Sequence, residues 1–533
     1  MKKNNGNNDN GKKNKDENNQ DFKKTLWKTA DSLRAQMDAA EYKHIVLGLI
    51  FLKYISDSFT EQKEKIKEMV TNPDSDFFIS EKLSDINEQD LEDRDYYTQD
   101  NVFWVPESAR WETLRDQAKQ PDFGFIIDNA LRDIEAENIF LKGKLDKRFG
   151  KCELAEGKLG QLVDHISTIG FSSEQRAADV LGEVYEYFLG MFAAAEGKRG
   201  GQYYTTKSIV KTLVAVLSPT KGRVYDPCCG SGGMFVQSEQ FVEAHGGKRD
   251  DISIYGQESN ATTWRLAAMN LALRGYSADL GKEHASTFAK DQHPDIKFDY
   301  IMANPPFNDS DWEGEKYRED VRWIYGAPSE GNANFAWFQH ILWKLKPDGQ
   351  AGVVMSNGAS TSETSGDGDI RKAMILDDVV EIMISLPAQL FANVQVPATL
   401  WFLTKDKTKN GRNRKNETLF INSKNLGKMI DSTHKIFTDE DIEKISRTVN
   451  NWRIGKNYED IQGFCKSATT KEIEETNYYL TPARYIGVDD KNVNDDSFDE
   501  IFPALKNEYL QLQEDSDSLS NDLVSIIKKI NND

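Results

Sequence analysis

Apolar and polar positions divide the chain into two textures. In "LWKTADSLRAQMDAAEYKHIVLGLIFLKYISDSF" apolar residues recur at helical spacing: Leu26, Ala30, Leu33 and Met37, then Leu47, Ile50, Phe51, Tyr54 and Ile55. That spacing predicts amphipathic helices packing through one face. Further helical patterns run to about residue 165, interrupted by the acidic, aromatic-bearing segment "DLEDRDYYTQDNVFW". From residue 200 short β-branched runs take over: "GRVYDP", "ISIYGQE", "FDYIMANPP", "GQAGVVMSN", "DVVEIMISL" and "TLWFLTK". Helical patterns such as "ATTWRLAAMNLALRGY" and "NANFAWFQHILWKLKP" lie between them. Alternation of this kind predicts an α/β fold with a mostly parallel, doubly wound sheet. The last two runs are close enough in sequence to form an antiparallel pair at one edge.

The two ends differ from both textures. Residues 1–20, "MKKNNGNNDNGKKNKDENNQ", hold almost nothing apolar and are predicted to be a solvated, disordered tail. Near the other end Phe498, Phe502, Leu505, Tyr509, Leu512, Ser516, Leu519, Leu523, Ile526 and Ile530 alternate four and three residues apart. Only Ser516 breaks this coiled-coil-like seam, and Pro503 falls where a first helical turn accepts proline. The seam is read as a surface for a partner helix, with docking on the chain's own helices as the plainer alternative.

Size and charge narrow the picture. A chain of 533 residues exceeds what one hydrophobic core organises, so two or more domains are expected. The net charge of -20 repels nucleic acid at long range. A protein of this charge acting on DNA or RNA needs a local basic surface or a partner that supplies the grip. The four cysteines form no C-x-x-C pair, so neither a disulfide framework nor a metal site is indicated. No apolar stretch reaches membrane-spanning length and none follows the first lysines as a signal peptide requires, which predicts a cytoplasmic protein.

Three stretches carry chemistry. In "VYDPCCGSGGMF" a strand ends at Asp226, and Gly230, Ser231, Gly232 and Gly233 lead into a helical pattern. Such a loop sits at the carboxyl edge of a doubly wound sheet, where the backbone approaches a ligand. Phe235 stands where a G-x-G-x-x-G motif has its third glycine, and no Gly-Lys-Ser/Thr follows. These features argue against a dinucleotide enzyme and an NTPase. In "ISIYGQESN", Glu258 ends the next strand, where a carboxylate accepts from ribose hydroxyls; a helix cap is the plainer reading. Loop and acid together predict an adenosine-containing cofactor.

The third stretch, "FDYIMANPPF", closes a strand with Asn304, Pro305, Pro306 and Phe307. The prolines present carbonyls without competing N–H groups, Asn304 adds an oxygen acceptor, and Phe307 adds a flat apolar face. Two acceptors beside a stacking ring suit a planar amine, whose nitrogen they polarise towards an electrophile.

Together these segments resemble the modification (methyltransferase) subunit of Type I restriction-modification systems, within the N6-adenine DNA methyltransferases. "NPPF" resembles that class's catalytic motif, "DPCCGSGG" its S-adenosylmethionine loop, and "GGQYYTTKSIVKTLV" the segment that precedes it. The helical start, "GNANFAWFQHILWKLKPDGQAGVVMSNG" and "LPAQLFANVQVPATLWFL" extend the likeness to roughly residues 25–490. The resemblance implies a Rossmann-like methyltransferase sheet with an α-helical N-terminal domain and a C-terminal helical tail. It implies that Gln202, Tyr203, Tyr204, Thr205, Thr206, Lys207, Asp226, Gly230, Ser231, Gly232 and Gly233 bind S-adenosylmethionine, with Glu258 on its ribose and Ser286 by its adenine. An adenine flipped from double-stranded DNA would enter the Asn304-Pro305-Pro306-Phe307 motif.

Two positions depart from the family pattern. Thr206 replaces a usual proline, and Ser286 replaces an acid that helps hold the cofactor's adenine. The implied partners are a specificity subunit, a restriction/translocase subunit and a second modification subunit, met through the N-terminal helices and the C-terminal seam. The expected division is a tail over 1–20, a helical domain over 21–165, a methyltransferase domain over 166–490 and an assembly segment over 491–533. The alternatives are a methyltransferase acting on an RNA guanine or a protein glutamine, and a non-catalytic subunit that binds cofactor.

Overall fold

The computed structural model describes residues 39–100, 102–152, 157–168, 205–248, 251–391, 397–409, 411–431 and 434–487, with positions 187, 188, 191, 502, 503, 506, 507, 510, 511 and 513. The N-terminal tail, Gln202, Tyr203, Tyr204 and most of the C-terminal seam lie outside the described residues. Of that seam, Phe502 is described, helical and 49% exposed.

The first helices are α1 (Ala39–Thr71), α2 (Phe123–Glu137) and α3 (Lys158–Ser167). Ile45, Leu49, Ile55, Phe59, Ile66 and Val70 of α1 are buried against Ile127, Leu131 and Ile134 of α2 and Leu162, Val163 and Ile166 of α3. The acidic interruption contributes to this core: it returns Tyr97 to stack on Phe59 at 4.5 Å, and Trp104 meets both rings edge-on at 5.3 Å. Its acids face water while its aromatics enter the core, so its polarity and its burial do not conflict.

Beyond these helices come α4 (Lys207–Leu217), α5 (Gly233–Ala244), α6 (Ala261–Ala272), α7 (Asn334–Lys344), α8 (Asp367–Leu376) and α9 (Asp439–Ile454). They wrap strands β1 (Gly222–Asp226), β2 (Ile252–Gly256), β3 (Ala278–Asp279), β4 (Phe298–Ala303), β5 (Leu345–Ser356), β6 (Val380–Ser385), β7 (Ala398–Thr404) and β8 (Glu417–Asn422). A two-stranded ribbon follows, β9 (Lys428–Met429) with β10 (Lys435–Ile436), and β11 (Cys465–Thr469) completes the set. The main sheet has nine strands in the order β11-β8-β6-β7-β5-β4-β1-β2-β3. Strands β1 to β5 pair in parallel, as do β6 and β8.

Alternate residues of each strand serve opposite cores, as the period of two requires. Val224, Met302, Val354 and Phe402 meet α4, α5, α6 and α9, whereas Tyr225, Ile301, Val353 and Trp401 meet α7 and α8. The expected antiparallel pair of β6 and β7 is present, but not at an edge. Strand β7 inserts between β5 and β6, pairing antiparallel with both, and β8 and β11 extend the sheet beyond β6. All seven residues of β7 are buried, which an edge position would not allow.

Helix α6 is apolar on two sides. Trp264, Ala267, Ala268 and Leu271 belong to the sheet's core, and Leu266, Met269, Ala272 and Leu273 to the core of the N-terminal helices. Each set repeats at helical spacing, so one helix is shared between two cores.

At the amino edge of the sheet lies a buried ionic cluster. Glu381 of β6 accepts from Arg414 at 3.0 Å and from Arg453 at 2.8 Å, and Arg453 also donates to the Val216 carbonyl at 2.7 Å. All three residues are at most 5% exposed. No described helix is long and apolar enough to cross a membrane.

Candidate active site

The parallel strands β1, β2, β4 and β5 deliver their carboxyl ends to one edge, and the motifs of interest begin there. Beyond β1 the ladder continues through Gln257 N–H to the Asp226 carbonyl at 3.0 Å and Cys229 N–H to the Gln257 carbonyl at 2.9 Å. The loop then turns into α5 through Gly230 (φ 54°) and Gly232 (φ 79°). A left-handed backbone at both places explains glycine there. The Asp226 carboxylate accepts from the Cys228 amide at 3.0 Å and is 2% exposed. Burial, assisted by the charge of Glu258, pushes its carboxyl up to about 7. Burial likewise pushes the Cys228 and Cys229 thiols well above their ordinary range, which is not the environment of a nucleophile.

Glu258 stands two residues past the end of β2. It accepts from the Gly230 amide at 3.1 Å and from the Asn260 amide at 2.8 Å. The side chain that caps α6 is Asn260, which accepts from the amides of Thr262 and Thr263. Glu258 therefore ties the glycine loop to the tip of β2, and burial raises its carboxyl.

Asn304 follows β4 directly. Its Nδ2 donates to Thr205 Oγ1 at 2.7 Å, two residues ahead of α4. Its Oδ1 is buried and has no hydrogen-bond partner among the described residues. A buried acceptor left open is costly, at about 1–3 kcal/mol, and native structures keep few without a use. Thr205, Asp226, Gly230, Ser231, Gly233 and Asn304 line one cleft together with Cys228 and Cys229. Phe307 is partly buried and meets Phe391 edge-on at 6.2 Å.

The other residues singled out in the sequence stand around this cleft. Gly232 packs its backbone close to Leu271 and Ala267 of α6, and Thr206 is the N-cap position of α4, with Lys207 exposed beside it. Ser286 is exposed, and among the described residues only its carbonyl is engaged, by the Lys290 amide at 2.9 Å. Its neighbour Ala285 donates to the Glu258 carbonyl at 2.9 Å, so Ser286 stays close to Glu258 in the fold.

Several supporting residues carried no motif. Asn270 of α6, 1% exposed, donates to the Ser231 carbonyl at 2.8 Å. Gln257, fully buried, donates to the carbonyls of Ala285 and Lys290. Asn334, at the start of α7, exchanges two hydrogen bonds of 2.9 Å with Asn308 and so fixes the turn after Phe307. Arg322 donates to the Thr287 and Phe288 carbonyls and to His340 Nδ1 at 3.1 Å. Burial and the Arg322 charge push that imidazole down to about 3, so it is neutral and can accept. Lone polar residues in apolar runs, such as Asn270 in "AAMNLAL", were the available signal.

Comparison with known proteins follows the same outline. Residues 176–494 match the family described as N-6 DNA Methylase, and residues 22–166 match the HsdM N-terminal domain. The Type I restriction enzyme HindI methylase subunit of Haemophilus influenzae is 46% identical over 402 residues, covering 72% of this chain and 90% of that protein. The MjaIX methylase subunit of Methanocaldococcus jannaschii is 37% identical over 95% of this chain and 91% of its own. Among solved structures, a type I restriction-modification methyltransferase subunit from Streptococcus thermophilus superposes with a TM-score of 0.71 at 25% identity, over 88% of this chain and 99% of that one. With a family match over more than half its length and a relative aligned almost end to end, the chain belongs to the N-6 DNA methylase family, as a methylase subunit of the Type I restriction-modification kind.

Proposed function

We propose that this chain transfers a methyl group from S-adenosylmethionine to the N6 amine of an adenine flipped out of duplex DNA. The observation that carries this reading is the open Asn304 Oδ1, buried in the same cleft as the glycine loop. S-adenosylmethionine supplies a methyl group on a positively charged sulfur. Burial raises the carboxyls of Asp226 and Glu258, and a cationic ligand at that loop would favour their ionised forms in return. In this reading Gly230 to Gly233 let the backbone approach the cofactor, Glu258 takes its ribose and Ser286 stands by its adenine. Gln202 to Lys207 would contact it as well.

Asn304 Oδ1 and the Pro305 carbonyl would accept the two hydrogens of the adenine amine and orient its lone pair. As the new N–C bond forms, the methyl–sulfur bond would break to leave a neutral thioether, and the amine's surplus proton would pass to solvent. Pro306 stiffens the turn, and Phe307 stacks on the base. Flipping is required because a paired amine inside the duplex is out of reach. The chain would act in the cytoplasm with a specificity subunit that reads the sequence, a restriction/translocase subunit and a second modification subunit. The helical domain over 21–165 and the segment over 491–533 would make the contacts around a methyltransferase domain over 166–490.

The test is co-expression with the cognate specificity subunit in a methylation-deficient host, followed by sequencing for modified bases. N6-methyladenine at a split recognition site is the expected result. A stable complex that leaves adenine unmodified would overturn the reading.

Thr205 provides a second, narrower expectation. By accepting from Asn304 Nδ2 it turns Oδ1 towards the cleft. Thr205→Val keeps the shape and removes the acceptor, and about a tenfold fall in kcat is expected from one missing hydrogen bond. Thr205→Ser should restore the rate. A change confined to KM for S-adenosylmethionine would instead make Thr205 a cofactor contact only.

A further inference from the structure

A molecule with a net charge of -20 that acts on DNA needs a partner that supplies the grip or a basic surface of its own, and one element beside the cleft has the means for the second. The β9–β10 ribbon leaves the carboxyl edge of the sheet after β8, where Ser423 N–H donates to the Ser385 carbonyl at 3.1 Å. Its far strand is tied to the cleft's rim: Lys435 N–H donates to the Gln389 carbonyl at 2.9 Å, and two residues on Phe391 meets the ring of Phe307. Over a short span it carries Lys424, Lys428 and Lys435, none of them in an ion pair among the described residues. Between these lysines it has one carboxylate, Asp431, which is hydrogen-bonded with His434 Nδ1 at 2.6 Å, and the Asp441 carboxylate lies at its base. Elsewhere on this rim a lysine is neutralised, as Lys211 is by Asp439 at 3.0 Å.

The ribbon's other property is an uncovered apolar surface. Met429 is 40%, Ile430 59% and Ile436 36% exposed, next to the lysines. The turn is closed by Ile430 N–H to the His434 carbonyl at 2.9 Å, and its base is pinned by Gly427 N–H to Asp441 Oδ2 at 3.1 Å. Aliphatic side chains flanked by lysines match the edge of a duplex: phosphates outside, and an unstacked apolar gap where a base has left.

We infer that the β9–β10 ribbon is a duplex-contacting element, with Lys424, Lys428 and Lys435 on backbone phosphates and Met429 and Ile430 against the bases beside the flipped adenine. The inference rests on the proposed DNA-methylating function and places the grip that the overall charge denies.

The test uses the complex of this chain with its specificity subunit and measures DNA affinity against salt, independently of methylation. Replacing all three lysines (Lys424→Gln, Lys428→Gln, Lys435→Gln) should weaken binding at least about tenfold and flatten the slope of log K against log salt by roughly 0.9 for each phosphate no longer neutralised. Ile430→Ser should leave that slope unchanged and reduce the fluorescence rise of 2-aminopurine placed at the target position, which reports flipping. An unaltered slope in the triple variant overturns the inference. So does release of the specificity subunit at an unaltered slope, since the ribbon would then be a protein interface. A wild-type complex that binds DNA with an ordinary slope yet deposits no methyl group overturns the proposed function alone.

Discussion

Asn304→Ala should reduce methyl transfer by about 100- to 1,000-fold while leaving S-adenosylmethionine affinity within about twofold, the scale set by removing one preorganised group from a transition state. The reason is geometric. The side chain enters the cleft at the end of β4 and leaves a buried acceptor open, while the glycine loop, Asp226 and Glu258 that would hold the cofactor are anchored to other elements. Single-turnover methylation and equilibrium cofactor binding, measured on the same complex, separate the two effects. Equal falls in binding and rate would mean that Asn304 supports the cofactor pocket, and its role as the amine's acceptor would fall. Asn304→Asp is the sharper companion: it keeps an acceptor and removes the donor to Thr205 Oγ1.

The second large effect is on stability. Glu381→Leu should destabilise the fold by at least about 3–5 kcal/mol, because it leaves the guanidinium groups of Arg414 and Arg453 buried without their carboxylate. The same cluster sets a pH dependence. Burial favours the protonated Glu381, but Arg453 and Arg414 outweigh it and hold the carboxyl below its ordinary value. A carboxyl lowered in the folded state contributes its full stability above the ordinary carboxylate range and loses it as pH falls through the folded value. Urea unfolding from neutral to acid pH should therefore show a falling midpoint that Glu381→Gln makes shallower. An unchanged midpoint for Glu381→Leu would show that the cluster contributes no net stability.

What the sequence revealed was local. Strand, loop and motif lie within a few residues of each other at Asp226 to Gly233 and at Asn304 to Phe307, so the period of each run and its breaking residues located both. The fold then brings these two stretches to one cleft, as the rule for carboxyl edges of parallel sheets requires. What escaped was non-local. Proximity in sequence marked β6 and β7 as partners, but nothing local encodes the insertion of β7 between β5 and β6. Strand β11, "CKSAT", is too polar to declare itself, and it forms because β8 offers an unpaired edge. The supports Gln257, Asn270 and Asn334 act through groups far along the chain, so no spacing announces them. Ser286 lies near Glu258 in the fold and faces solvent, which no single residue type could tell.

The double-sided α6 has a further consequence for how the molecule comes apart. Two cores counted by burial need not be two units counted by melting. If the N-terminal helices let go, Leu266, Met269, Ala272 and Leu273 are bared to water, and the same helix carries Asn270, which holds Ser231. Unfolding of either half thus strips apolar cover from the other, and the resulting cost binds them into one cooperative transition. Glycine loop and N-terminal helices, far apart along the chain, should therefore melt together in a denaturation scan, because they share a helix.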